Sequence, residues 1–582
     1  MSRHDPAILL LPAPRRVEFR SGTCSVPPVA STSIDPAIAP PQGYQLNVKP
    51  WGITIIGADA AGVFYGRKTL AQLRRYFGEG LPCLQIDDWP DFPVRGVMLD
   101  ISRDKVPKMS TLLELIDLLA SWKINQIQLY MEHTFAYRGH EEVWQNADAL
   151  TAEEIHRLDK YCRDRFVDLV PNQNSFGHME RWLKHPRYLP LAEAPDGAET
   201  PWGFRWQGPF SLCPTDPAAI DLLRDLYGQL LPNFSSKLFN AGLDETFDVG
   251  QGRSLEICAD RGVTPIYLEF LKRVQKLAAE QGRKMMFWGD IILNSPQMIP
   301  ELPPDVVALN WGYEADHPFE TEAKLFHDSG IPYYVCPGTS SWCSLAGRTD
   351  TMIVNQQAAA EAGLANGAIG YLNTDWGDYG HLQYLPISYA GFATGAAMSW
   401  CLASNRELQL AEALDLYAFA DRGLVLGQIA CAMGNLYQVI SRPLTNRSAI
   451  FSILVPSSSP QRDPMERIVR HRLNAVETAL NTAMNRMDEA QPDRPDADVI
   501  LEEFYNTAAM IRHACRKGRW KLDANSENPQ ELIDDLEQII ETHRTCWLAR
   551  NRAGGLEDSV KRLAESLVEY RTAVEAPAAG GH

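Results

Sequence analysis

Between Val94 and Trp400 the chain alternates short apolar runs with amphipathic stretches, and the alternation repeats eight times. The runs that read as strands are Val94 to Ile101, Gln126 to Tyr130, Val167 to Val170, Lys237 to Gly242, Lys284 to Trp288, Val306 to Trp311, Tyr333 to Cys336 and Ala368 to Asn373. Helical spacing marks Thr111 to Trp122, Ala152 to Arg163, Pro217 to Leu230, Pro265 to Gln281, Glu320 to Ser329, Ile353 to Ala365 and Ile387 to Trp400. The weakest helix follows the fifth strand, near Pro296. Eight such units over roughly 300 residues are the size of a (β/α)8 TIM barrel. An open doubly wound sheet would want a glycine-rich phosphate turn, and none is present. The expected fold is therefore α/β: a barrel over residues 91–402, a small N-terminal α/β domain over 1–90 and a helical C-terminal domain over 403–582.

The flanking regions read differently. Tyr44 to Val48 alternates as a half-buried strand does, Ile53 to Ile56 is a second strand, and Asp59 can cap a helix from Ala61 to Phe77. The run from Asp87 to Pro93 is a linker. Beyond Trp400, Glu407 to Leu424, Pro464 to Arg486, Ala497 to Cys515, Pro529 to Arg550 and Leu556 to Ala573 read as amphipathic helices. Val455 to Pro460 and Gln491 to Pro495 punctuate them as loops, and the tail from Ala576 reads as disordered.

A barrel places its chemistry just after the strands, at the C-terminal mouth. In strand order those positions hold Arg103; Glu132 and His133; Asn172, Asn174 and His178; Asp244-Glu245; Trp288 and Asp290; Trp311 and Tyr313; Tyr334 and Trp342; and Trp376 with Asp378. Each alone has a packing explanation. Polar and aromatic groups after all eight strands are hard to explain by packing. Asp244 and Glu245 weigh most, because two adjacent acids are costly to bury unless one must hold a proton while the other stays charged. Neighbours in a regular strand face opposite ways, so both can serve one pocket only if the strand has ended, which Gly242 permits.

Carboxylates ringed by Trp and Tyr suit a sugar, whose apolar faces stack on rings and whose hydroxyls meet polar side chains. A phosphoryl substrate would want clustered Lys and Arg, and His133 and His178 are too isolated for a metal site, so neither cofactor nor metal is expected. The formal charge of −18 over 582 residues argues against nucleic acid and against anionic membrane surfaces. No apolar run is long enough to span a bilayer, and no signal peptide is evident. The 11 cysteines are scattered without CxxC pairs, which favours reduced thiols and a cytoplasmic location.

Asn240-Ala241-Gly242-Leu243-Asp244-Glu245 resembles the Asp-Glu signature of glycoside hydrolase family 20, the β-N-acetylhexosaminidases. Arg95 to Arg103 resembles the start of that family's barrel, and Gly62 to Gly66 with Thr69-Leu70 resembles its zincin-like N-terminal domain. Gly177-His178 and Trp376-Gly377-Asp378 fit the same pattern. The resemblance spans about Leu9 to Trp400. It implies that Glu245 is the general acid/base and that Asp244 orients the substrate's own 2-acetamido group, the nucleophile of a retaining reaction through an oxazolinium ion. It implies that Arg103 and Asp378 hold sugar hydroxyls, and that Trp288, Trp311 and Trp376 wall the pocket. His178 would support the acid, and Tyr334 or else Tyr313 would bond the acetamido oxygen. Glu132, Asn174 and Trp342 complete the expected substrate-binding set.

Departures exist. Tyr130 to Tyr137 replaces the family's usual His and Asp run, and Asn172, Gln173 and Asn174 replace its acidic pair. The expectation is a divergent exo-acting enzyme on a small amino-sugar glycoside with terminal GlcNAc or GalNAc. The alternatives are a catalytically silent sugar-binding protein and a barrel glycosidase with a protein nucleophile. The helical C-terminal region could pack on the barrel, narrow the site or form a homodimer.

Overall fold

The structure, a computed structural model, describes residues 8–25, 29–78, 80–455 and 465–575. The tail from Ala576 and the loop residues 456–460 lie outside the described residues.

The N-terminal part is a five-stranded sheet of β1 (Arg16–Cys24), β2 (Ser31–Ile34), β3 (Tyr44–Lys49), β4 (Gly52–Gly57) and β5 (Leu81–Asp88), in the order β1-β5-β3-β4-β2. One face is covered by the helix Ala60–Phe77, which Asp59 caps through a 2.8 Å bond from the Gly62 N–H. The sequence reading found the helix, β3 and β4. It missed β1, the exposed β2 and β5.

The barrel consists of β6 (Val94–Asp100), β7 (Gln126–Tyr130), β8 (Asp168–Val170), β11 (Leu238–Asn240), β12 (Lys284–Trp288), β13 (Val307–Trp311), β14 (Tyr333–Cys336) and β15 (Gly370–Asp375). Between β8 and β11, a short hairpin of β9 (Ala198–Glu199) and β10 (Arg205–Trp206) lies outside it. Every pairing within the barrel sheet is parallel. It closes just past the short β8, where Asn172 bridges Asn240. The strands are almost wholly buried, as parallel strands under a helix layer must be. Inside, Gln128 accepts from the amides of Asn172 (3.1 Å) and Asn240 (2.9 Å), so Asn172 satisfies the barrel interior instead of reaching the mouth.

The helices start where local chemistry tells them to. Thr151 and Glu154 form a capping box ahead of Ala152–Arg163. Asp216 caps Pro217–Leu230, with Pro at the first helical position. After β12, where the sequence signal was weakest, there is only the single turn Asp290–Leu293 and a 3₁₀ segment, Pro296–Glu301.

Beyond Trp400 the chain is helical, with Ala497–Leu522, Pro529–Arg550 and Leu556–Glu575 the longest elements. The helix expected over Glu407 to Leu424 is instead Leu410–Leu414, running into a π turn that ends at Ala420 with φ +55°. This region packs on the barrel and shares its hydrophobic core. It also grips two mouth loops. After β6, the Lys108 N–H bonds the Arg550 carbonyl (2.9 Å), and the Arg552 N–H bonds that of Val106 (2.9 Å). After β15, Arg447 and Arg562 lie over the Tyr379 ring, at 4.8 and 5.8 Å.

Candidate active site

β11 ends at Asn240, and the backbone then turns left-handed at Gly242 (φ +73°), Leu243 (φ +72°) and Glu245 (φ +51°). These turns break the strand alternation, so Asp244 and Glu245 face one side. Two of the positions carry side chains, a strain of ~1–3 kcal/mol each that surrounding contacts must offset. The contacts are present: Asn240 Oδ1 takes the Gly242 N–H (3.0 Å), Asn174 Oδ1 that of Leu243 (3.3 Å) and Asp290 Oδ2 that of Glu245 (2.9 Å). Glycine is required at 242, where a Cβ would collide with the Asn174 side chain, and at 177, where it would meet the Asp244 carbonyl.

His178 faces both acids, with Nε2 3.2 Å from Asp244 Oδ2 and 3.3 Å from Glu245 Oε2. Burial opposes its charge, but Asp244 and then Glu245 outweigh burial and push the imidazole up to about 10. Asp244, 6% exposed, is held below the usual carboxylate range: burial works against this, while His178 and the Asn174 amide (3.0 Å) prevail. Asp244 is thus an ionised carboxylate at neutral pH. The Glu245 side chain is 30% exposed and meets the opening.

Arg103 is the second anchor. It contacts Asp100 (3.1 Å), Glu132 (3.2 Å) and, at 4.0 Å, Asp378, and it lies over the rings of Tyr130 and Trp376. With His178 charged, both ring nitrogens carry protons. Its Nδ1 then approaches Arg103 Nη2 (3.3 Å) as a like charge, and Glu132, 4.0 Å from that nitrogen, lies close to both cations. Burial raises the Asp378 carboxyl to about 6 against the pull of Arg103.

The aromatic wall divides. Trp376 donates to the Tyr313 hydroxyl (2.8 Å), and Trp311 stacks on Tyr313 with centroids 5.2 Å apart. Trp288 and Trp342 are each 1% exposed, so they back this wall and do not face the opening, a correction to their expected substrate contact. Trp288 stands 6.0 Å behind Trp376, and Trp342 meets Tyr313 edge-on at 5.1 Å. Tyr334 is a plainer correction. It sits near the start of β14, and its hydroxyl faces Gln126 and Asp168, which open β7 and β8 at the opposite end of the barrel. Tyr313, whose hydroxyl takes the Trp376 indole N–H, feels the Asp244 charge, as do Tyr130 and Tyr267.

Asn174 and Glu132 also do a different job from the one expected. Asn174 is fully buried and bonds Asp244 and the Tyr130 hydroxyl (3.2 Å). Glu132 accepts from that hydroxyl (2.9 Å) and pairs Arg103. Both hold the machinery in place. His133 lies apart, lining a cavity of about 300 Å³ between the loops after β6 and β7 and the last helix.

Sequence reasoning placed Asp290 at the mouth without a role, and left Asp100 and Tyr130 out of the site. Asp100 bonds the Gly377 N–H (3.0 Å) as well as Arg103, tying the first and last mouth loops together. Its position three residues before Arg103 was the available signal. Among the described residues no group of His, Cys, Asp and Glu could hold a metal ion, and no helix is long and apolar enough to cross a membrane.

Comparison with known proteins gives the same picture. The family model "Glycosyl hydrolase family 20, catalytic domain" matches residues 92–342, and "Glycosyl hydrolase family 20, domain 2" matches 26–89. A beta-hexosaminidase of Akkermansia muciniphila is 26% identical over 258 residues, covering 40% of this chain and 51% of that protein. A lacto-N-biosidase of Bifidobacterium bifidum is 24% identical over 285 residues, covering 46% of this chain and 24% of that protein. The chain therefore spans about half of the first relative's length and less of the second. The crystal structure of a Flavobacterium johnsoniae chitobiase shares the fold with a TM-score of 0.59 at 16% identity, over 92% of this chain and 99% of that one. The two family models, in order along a closed eight-stranded barrel, place this chain in glycoside hydrolase family 20.

Proposed function

We propose that the chain is a retaining, exo-acting β-N-acetylhexosaminidase that removes terminal β-linked GlcNAc or GalNAc by substrate-assisted catalysis. The observation that carries this reading is the left-handed loop that turns Asp244 and Glu245 to one side, with His178 within 3.3 Å of both. The named activities of the relatives support the same class of reaction.

In this scheme the acetamido carbonyl oxygen of the substrate attacks C1 as Glu245 gives its proton to the glycosidic oxygen. Asp244, kept ionised by His178, accepts the acetamido N–H and stabilises the positive charge that grows on the oxazolinium ring. The nucleophile arrives already tethered to the reacting carbon, which removes much of the entropic barrier. Water then attacks C1 from the vacated side, and Glu245 takes its proton. Tyr313 is the hydroxyl available to the acetamido oxygen, and Trp311 and Trp376 are the rings available to the sugar faces. Arg103 and Asp378, joined through Asp100 and Gly377, suit the hydroxyls away from the scissile bond.

The test is hydrolysis of aryl β-GlcNAc and aryl β-GalNAc, with and without a thiazoline that mimics the oxazoline. Release of the aglycone with strong thiazoline inhibition is expected. Hydrolysis that the thiazoline leaves untouched would point to a protein nucleophile, and no hydrolysis of either substrate would overturn the reading.

A further inference from the structure

Asp290, the first residue of the turn after β12, has no part in the scheme above. Its Oδ2 accepts the Glu245 N–H at 2.9 Å, and Glu245 is the residue whose left-handed backbone is needed to aim its carboxyl. The other oxygen, Oδ1, is buried and has no hydrogen-bond partner among the described residues. The groups that face Asp290 are Asp244 and Glu245 from the loop after β11, Tyr267 from the helix Val263–Glu280 and the Trp311 indole from the end of β13. None is a cation. Burial, and then the charge on Asp244, push this carboxyl up to about 8, so it keeps its proton at neutral pH.

We propose that Asp290 is a positioning residue for Glu245, with the Asp290 side-chain oxygen locking the acid/base backbone in its left-handed turn. This rests on the reading of Glu245 as the acid/base. The physical logic is one of charge. Asp244 must stay ionised, and it does so by pairing with His178. A third carboxylate at this spot would repel Asp244 and compete for the same imidazolium. A protonated carboxyl supplies the acceptor without the charge.

Two substitutions separate the parts of the claim. Asp290→Asn keeps the acceptor and cannot ionise; Asp290→Ala removes the acceptor. On an aryl β-N-acetylhexosaminide at pH 7, Asp290→Asn should keep kcat within about threefold of wild type, while Asp290→Ala should lose at least about tenfold in kcat with KM little changed. Equal activity of the two variants, whether both active or both dead, would overturn the proposal. A second measurement does not depend on activity or on the Ala variant folding. A carboxyl whose folded pKa lies above its unfolded value lowers stability as pH rises between the two. The melting temperature of Asp290→Asn should therefore exceed wild type by a margin that widens from pH 5 to pH 8. Parallel melting curves would show that Asp290 is ionised throughout and would likewise sink the proposal. If wild type hydrolyses no aryl hexosaminide while the melting curves diverge, the functional reading has failed and the neutral carboxyl stands.

Discussion

Arg103 and Lys105, two residues apart on the loop after β6, enter two different clusters of buried charge. Arg103 faces the mouth. Lys105 faces the seam between the barrel and the C-terminal helices, where it donates to the Gln383 carbonyl (2.8 Å) and lies 5.1 Å over the Trp547 ring. At the seam the charges are closed on themselves. Arg550 grips Glu503 with two bonds, 2.7 and 2.9 Å, and takes Asp496 with a third (2.9 Å). At the mouth they are not. Asp100, Glu132, Asp244, Glu245 and Asp378 share two cations, Arg103 and His178. Three of the side chains there, Arg103, Glu245 and Asp378, are 21–36% exposed, against 2% for Glu503 and 7% for Arg550. Unbalanced charge on a strained backbone is expected where a ligand completes the arrangement, and a closed bidentate pair where only packing is at stake.

The sharpest way to break this comparison is to remove one carboxylate from each cluster. Glu245→Gln should lower kcat/KM on aryl β-GlcNAc by about 10³-fold or more while the melting temperature moves little, because the site loses its proton donor while the buried His178 keeps Asp244 as its partner. Glu503→Ala should do the reverse. It leaves the buried Arg550 guanidinium with Asp496 alone, a loss of about 3 kcal/mol, read as a lower melting temperature with kcat per folded molecule unchanged. If Glu503→Ala lost activity without losing stability, the seam would belong to the site.

A smaller effect tests the electrostatics of the mouth. The folded pKa of His178, about 10, lies above its unfolded value, so its pairing stabilises fully below about pH 6.5 and is lost as pH rises through 10. The stability advantage of wild type over His178→Gln, followed by thermal melts, should be roughly 2–4 kcal/mol at pH 6 and fade toward pH 10. A pH-independent gap would show that His178 is neutral.

The smallest effect concerns Asp378. With a carboxyl at about 6, its ionised form is lost as pH falls. KM of wild type should rise severalfold between about pH 7 and pH 5, and Asp378→Asn should flatten that rise. An unchanged profile would remove Asp378 from sugar recognition.

By itself, the sequence determined the periodicities and the local chemistry. Eight apolar runs separated by amphipathic stretches leave few folds open. The caps at Asp59, Thr151 and Asp216 act through near neighbours, and Gly242 marked the place where the strand gives way to a turn. The positions after the strands then named Asp244, Glu245, Arg103 and His178, because a parallel barrel puts its strand ends in one ring. What sequence could not supply was depth along the barrel axis and rotation about each strand. The bounds of β14 are the same in sequence and structure, yet its second residue lies nearer the floor of the barrel than the mouth. Tyr334, early in β14, points among the residues that open β7 and β8, and Tyr313, beyond the end of β13, meets Trp376. The same limit hid the buried ranks of Trp288 and Trp342 and the holding roles of Asn174 and Glu132. It also hid the role of Asp290, whose link to Glu245 runs between residues 45 positions apart. Such contacts are made by packing β12 beside β11, and only the tertiary structure brings those two strand ends together.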